Sequence, residues 1–380
     1  MWKTRTGPEA EKETLLAQLA AVGEELKAAR VRIAALEAAH MGAKDEVALK
    51  YIRREALFLV PRLMELLPPG ERFVIVDAGA RDGEDDPRWR PFPPHRLAIF
   101  GFEPDQAEAA RLNELARKNG HERRVHAAGL WRTSGCLHFH HNKASGGGSF
   151  LPQNREITDR WKFENPTATS PAREVFVATH TEPLRVTSLK EWASEAGLTE
   201  IDFVKLNVQG AELQVLEGAA GLLDGVLGIL VEVSFVESYR GRPLFADIDA
   251  HLRGAGFTFF DLLAHHYVGR AVAPVAAQHL ALVQPTLGQQ VSAWGQLVEG
   301  HALYLRDPLT PDAGSPDVRR CLKLAALAEA CGQIEFAFEV LGWLVRRADV
   351  ASRDLASQLR QACVDGAEDY RRHLAVREPR

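Results

Sequence analysis

The chain has 380 residues, more than one ordinary domain needs, so one large domain with appendages or two domains is expected. Hydrophobic residues make up 46% and charged residues 26%, a balance that allows a core of useful size. The net charge of −5 argues against a nucleic-acid footprint, and no apolar run reaches the roughly 20 residues of a membrane span.

The opening MWKTRTGPEAEKE lacks the apolar centre of a secretory signal. Cys136, Cys321, Cys331 and Cys363 form no C-x-x-C pair, which suits free thiols in a reducing cytoplasm. From Leu15 to Leu36 apolar residues recur in steps of four and three (Leu15, Leu19, Val22, Leu26, Ala29, Ile33, Leu36). That period predicts a coiled coil and a homo-oligomer, with an amphipathic helix packed on its own domain as the alternative. A second helical pattern, Asp45 to Leu67, ends at Pro68-Pro69-Gly70.

Beyond this breaker apolar runs alternate with helical patterns. FVIVDAGA (73–80), LAIFGFEP (97–104), RRVHAAGL and GCLHFHH read as strands, and a helix is predicted over Asp105 to Lys118. IDFVKLNV (201–208), GILVEVSF (228–235), GFTFFDLL (256–263) and HLALVQP (279–285) continue the series, with helices predicted over Ala211–Leu223 and Phe245–Gly254. The alternation predicts an α/β fold of Rossmann-like, doubly wound type with a mostly parallel sheet. HLALVQP suits an antiparallel strand inserted beside the others. Between Asn142 and Arg173 glycines, prolines and polar residues predict a long loop or lid. After Gly314 the pattern is helical again, with two helices broken at Gly332 and a further one over Ser352–Leu374.

The motif V-I-V-D-A-G-A-R-D-G, Val74 to Gly83, places Asp77 at a strand's carboxyl end, where open α/β sheets bind ligands. Gly79 permits close backbone approach and Gly83 starts the next turn. The spacing is not the G-x-G-x-x-G of dinucleotide enzymes, and a carboxylate suits the cationic methionine portion of S-adenosylmethionine (SAM). Glu103, about twenty residues beyond Gly83 in G-F-E-P-D, is placed to accept the ribose hydroxyls of an adenosine ligand. Ala80, Arg81, Pro104 and Ala128 belong to the same expected SAM contacts, together with Asn207.

These motifs resemble those of the FkbM methyltransferase family, mainly across Phe73 to Gln284. The resemblance rests on V-D-A-G-A-R-D-G, F-E-P-D, V-T-S-L-K-E-W, I-D-F-V-K-L-N-V-Q-G-A-E, L-V-E-V-S-F and P-L-F-A-D-I-D-A-H-L. It implies a SAM-dependent O-methyltransferase acting on a sugar, glycan or natural-product hydroxyl. The expected organisation is a coiled-coil helix over 1–45, a Rossmann-like methyltransferase domain over 46–290 and a helical region over 291–380. Where the family usually carries Asp and Glu, this chain has Asn207 and Gln209. An amide orients a ligand but accepts no proton, and it weakens any metal reading at this strand end.

Catalytic candidates are therefore Asn207 for orientation and Glu232 or His180 for proton removal. Glu232, on an apolar run, is read either as a desolvated base or as a carboxylate paired to a neighbour. His138 and His140 share one face of a strand beside His141, but no acidic third ligand is close in sequence, so no metal site is expected. His265-His266 is placed past a strand end. Trp161 is read as a sugar-stacking aromatic or a loop anchor, and Trp89 as part of an unusual wall of the SAM pocket. The rival readings are N-methylation of an amine, which needs less base assistance, and a degenerate SAM module held in a glycan-synthesis assembly.

Overall fold

The computed structural model describes residues 57–81, 86, 88–118, 122–143, 145–161, 177–268, 281–283, 290–292, 296–309, 317–347 and 353–375. The heptads of Leu15–Leu36, most of the Asp45–Leu67 pattern and Gly83 lie outside them. No helix among the described residues is long and apolar enough to cross a membrane.

The main sheet grows outward from β1 (Phe73–Ala78). On one side lie β2 (Leu97–Phe102) and β3 (Arg123–His126), and on the other β7 (Phe203–Leu206) and β8 (Gly228–Ser234), all parallel. Every residue of β8 is buried, as a strand covered on both faces requires. The seven strands run β3-β2-β1-β7-β8-β12-β9, where β9 is Phe257–Val268 and β12 is Gln296–Arg306. Strand order reverses at β1, so the carboxyl ends of β1, β2 and β7 border the crevice where such sheets bind ligands.

The antiparallel strand between β8 and β9 is β12, not HLALVQP. Of that segment, Ala281–Val283 (β10) pairs instead with Gln290–Ser292 (β11) in a separate hairpin. The sheet therefore runs past residue 290, where the sequence reading ends it. GCLHFHH is also not a strand of the main sheet. It forms β5 (Gly135–Asn142), antiparallel to β6 (Ala178–Thr187), with β4 (Gly129–Leu130) completing a three-stranded sheet.

One face of the main sheet buries Val76, Ala78, Val204, Leu206, Ile229 and Val231. Against it pack α4 (Leu189–Glu195) through Trp192, α5 (Glu212–Glu217) through Leu216 and α6 (Phe245–Gly254) through Ile248 and Leu252. The described stretch between α3 (Arg155–Thr158) and Trp161 is short and turned, and α2 (Gln106–Lys118) joins β2 to β3.

On the opposite face the three prolines after Arg90 do exclude a covering helix. Trp89 sits edge-on to Phe203 at 5.3 Å and Phe92 edge-on to Phe73 at 5.0 Å, so Trp89 is a buried core residue. The expected pocket wall is thus a core plug. The remaining cover comes from the C-terminal helices α7 (Val318–Ala330), α8 (Ile334–Arg346) and α9 (Arg353–Ala375), and from α1 (Val60–Leu66). Buried Lys323 of α7 reaches Glu71 and Asp202, each at 2.8 Å, and donates to the Arg72 carbonyl at 2.7 Å. Asp202 in turn accepts from the Val74 amide at 2.8 Å. A desolvated ammonium needs such complete pairing. Residues 57–380 form one compact unit, so these helices belong to the same folded body as the sheet.

Candidate active site

The strand ends at the switch point are held by close backbone contact. Gly79, at φ 73°, lies so near β7 that a Cβ there would sit 1.8 Å from the Asn207 carbonyl oxygen. The amides of Gly79 and Ala80 both donate to the Phe102 carbonyl, at 3.0 and 3.1 Å, and the Asn207 amide donates to the Ala78 carbonyl at 3.0 Å. Only glycine meets both the left-handed φ and the close approach.

Asp77 is buried between two cations. Arg123 of β3 lies 2.7 Å from Oδ2 and Lys205 of β7 lies 3.0 Å from Oδ1. Arg123 pairs in register with Ile99 of the intervening strand, and Asp77 with Gly101, so the ion pair spans β2 from β3 to β1. Lys205 also donates to the Gly79 carbonyl at 2.8 Å. Asp77 thus acts on the glycine turn through Lys205, and its charge is already balanced within the protein.

Glu103, at the end of β2, is buried. Its Oε1 accepts from the Asp105 amide at 2.9 Å and lies 3.4 Å from Arg81, which also pairs with Asp105 at 3.0 Å. Burial pushes the Glu103 carboxyl above its usual range, against the opposing effect of these donors. Pro104 follows it half-buried, and Ala128 is half-buried in the bend after β3.

After β7 the chain turns through Asn207–Gly210, with Gln209 at φ 53° and Gly210 at φ 105°. A non-glycine residue in the left-handed region is strained and persists only where its surroundings hold it. Here they do. The Glu212 carboxylate accepts from the Val208 and Gly210 amides at 3.0 Å, and Ser149 donates to the Gln209 carbonyl at 2.7 Å. Glu212 is therefore a clamp on the loop as well as a first-turn acid. The Gln209 side chain donates to Asn207 Oδ1 at 2.8 Å, stands 3.3 Å from Glu232 Oε2 and accepts from the Tyr239 hydroxyl at 3.2 Å.

Glu232 is buried on β8 and paired with buried Arg242 at 2.7 Å. Arg242 also bridges to Glu299 of β12 and donates to Ser238 at 2.9 Å. Burial disfavours the guanidinium, but Glu299, Glu212 and Glu232 outweigh it and hold its pKa above the ordinary range. Of the two readings of Glu232, the structure contains the paired carboxylate. His301 of β12 lies 3.9 Å from it.

His180 does not join these residues. It is exposed on β6, stacked on His141 with centroids 4.2 Å apart. His265 and His266 lie within β9, not past its end. Trp161 is buried with Val298 and packs near Ile157 and Val236, the loop-anchor alternative. Sequence reasoning missed Arg123, Lys205, Tyr239 and Arg242 as site residues. Lys205 had a signal, since a cation on an apolar strand implies a buried partner.

A family model described as the methyltransferase FkbM domain matches residues 77–259. The 2-O-methyltransferase NoeI of Sinorhizobium fredii is 31% identical over 186 residues, which cover 46% of this chain and 70% of that protein. Among solved structures, a methyltransferase FkbM from Methylobacillus flagellatus superposes with a TM-score of 0.34 and 13% identity, over 63% of this chain and 45% of that one. A precorrin-6y C5,15-methyltransferase from Geobacter metallireducens gives a TM-score of 0.29 and 8% identity, over 64% and 85%. With a relative this similar over most of its length, and the FkbM match spanning the strand ends described above, the chain belongs to the FkbM family of methyltransferases.

Proposed function

We propose that this protein transfers the methyl group of SAM to a hydroxyl of a carbohydrate, glycan or related natural product. Glu103 carries the cofactor reading. Both hydrogen bonds described for its carboxylate fall on Oε1, which leaves Oε2 for a ribose hydroxyl at the end of β2. SAM supplies an electrophilic methyl when bound. The protein's part is placement: Gly79 keeps the β1 and β7 ends together, Lys205 fixes the glycine carbonyl, and Asn207 presents an amide to either ligand. Positioning alone accounts for much of the acceleration of an in-line displacement. The hydroxyl reading is supported by the 2-O-methyltransferase to which the chain is similar.

Amine methylation is the second reading, and a specific observation favours it. Asn207 accepts no proton, and the Glu232 carboxylate is occupied by Arg242 and Gln209, so the strand end offers amides where an alcohol benefits from a base. Calorimetry with SAM, followed by transfer of labelled methyl to pooled nucleotide sugars, glycans and amines, separates the readings. Label on a glycan hydroxyl supports the first, and label on amines alone supports the second. Binding without transfer to any of them rejects both in favour of a SAM-binding module.

A further inference from the structure

The three-stranded sheet carries a second constellation that methyl transfer does not use. In the β5–β6 ladder His141 stands opposite His180, and Glu182, two residues further along β6, shares its face. His141 Nε2 lies 2.8 Å from Glu182 Oε1, and the rings of His141 and His180 stack 4.2 Å apart with their planes 6° from parallel. One ligand atom from each of the three lies within 4.8 Å of the other two. We propose that His141, His180 and Glu182 form a binding site for a divalent transition-metal ion of the zinc type.

Two imidazoles and a carboxylate suit zinc, copper or nickel, whereas magnesium and calcium prefer oxygen alone. Three protein ligands leave a fourth position for water. Metal–ligand bonds of about 2.0–2.2 Å bring tetrahedral ligand atoms to roughly 3.4 Å of one another. Closing from the present spacing takes rotation about the imidazole and carboxylate terminal torsions, which are broad and soft. The rings turn from a stack so that their lone pairs converge.

The site also has an anchor. Half-buried His141 sits edge-on to buried Phe139 at 4.9 Å, and Phe139 sits edge-on to Phe150 at 5.0 Å. The next residue, Asn142, donates to the Gly147 carbonyl, which also accepts from Tyr239 at 2.8 Å. Tyr239 then reaches Gln209 at 3.2 Å. A cation clamping the ladder at His141 therefore steadies the strand end from which this path to the Asn207–Gly210 loop begins.

The test uses full-length protein stripped with a chelator, titrated with Zn²⁺ by calorimetry and with Co²⁺ by visible absorption. One equivalent should bind, with tetrahedral cobalt bands and no thiolate charge transfer, and Zn²⁺ should raise the melting temperature. His180→Ala and Glu182→Gln should each weaken binding at least tenfold. His138→Ala, on the opposite face of β5, should leave it unchanged, as should Cys136→Ser, which removes the exposed thiol of the same strand. The altered side chains of His180 and Glu182 are exposed, and circular dichroism verifies folding. Absence of stoichiometric binding overturns the proposal. So does binding that survives the double variant His141→Ala/His180→Ala, or a sulfur-ligand signature. None of these readouts depends on methyl transfer.

Discussion

The side-chain amide of Gln209 donates to Asn207 at 2.8 Å while standing 3.3 Å from Glu232, so one strained residue joins the end of β7 to the buried ion pair on β8. Its φ of 53° separates two effects that usually travel together. Glycine adopts that conformation without strain, which offsets part of the loss of the Gln209 side-chain hydrogen bonds, so Gln209→Gly should lower stability only modestly, by about 1 kcal/mol. Turnover should fall by about 10²-fold, because the Asn207 amide loses the partner that orients it. SAM affinity, measured by calorimetry, should stay near that of the native protein. Native turnover in Gln209→Gly would show that Asn207 needs no positioning.

Asp77 is a structural counter-ion to Arg123 and Lys205. Asp77→Ala leaves Arg123 and Lys205 facing each other without their carboxylate, and breaking a buried pair in this way costs about 3–5 kcal/mol. Denaturant unfolding should show that loss. SAM affinity of the folded fraction should also fall, through the released Gly79 turn. Combining Asp77→Asn with Arg123→Met should recover part of the stability without recovering the affinity. If affinity returns as well, the Asp77 charge is dispensable for SAM binding.

Of the parallel strands, β1, β2, β7 and β8 were legible as mainly apolar runs bounded by turn residues, and β8 is buried at every position. The inserted strand was not. In β12, Glu299 and His301 face the ion network of Arg242 and Glu232, so polar residues interrupt the run, while HLALVQP has the pattern of a buried strand although its described residues, Ala281–Val283, pair with β11. Glu232 was legible as a buried carboxylate, yet its partner Arg242 follows a turn whose geometry no periodicity encodes. The histidine cluster was hidden for a related reason. His141 and His180 are about forty residues apart, and only strand register makes them neighbours.

Glu103 should couple ligand binding to pH-dependent stability. Burial raises its pKa above the ordinary 4.5, so the folded protein holds this proton more tightly than the unfolded chain. The stabilisation from the protonated form is complete below the unfolded value and is lost as pH rises through the folded one. Glu103→Gln removes that dependence. Relative to the native protein, the variant's melting temperature should therefore improve as pH rises from about 4 to 7. Its SAM affinity should drop about tenfold, the scale of a hydrogen bond to a charged group. A melting-temperature difference that is flat with pH would mean that Glu103 does not titrate in this range.

The C-terminal helices fold with the sheet as one unit, and a single carboxylate of α7 ties them to α1. Helix α1 has Leu59 at its N-cap, which offers no side-chain acceptor. The missing acceptor comes from α7, where Glu329 takes the amide of Phe58 at 2.6 Å, of Leu59 at 2.9 Å and of Val60 at 2.7 Å. Pro61, second in the helix, has no N–H to satisfy, which leaves fewer donors for the carboxylate to serve. Glu329→Ala strands three amides in or beside the core, at about 1–3 kcal/mol for each buried donor left unmade. A loss of about 3 kcal/mol or more is expected by denaturant unfolding, and a smaller one for Glu329→Gln, which keeps a carbonyl acceptor. Because Lys323 of the same helix holds Glu71 and Asp202 at the base of β1 and β7, the whole unit should unfold in a single transition. SAM affinity at the opposite strand ends should be retained. Two separate transitions, with the sheet melting as in the native protein, would show α7 to α9 to be an independent domain.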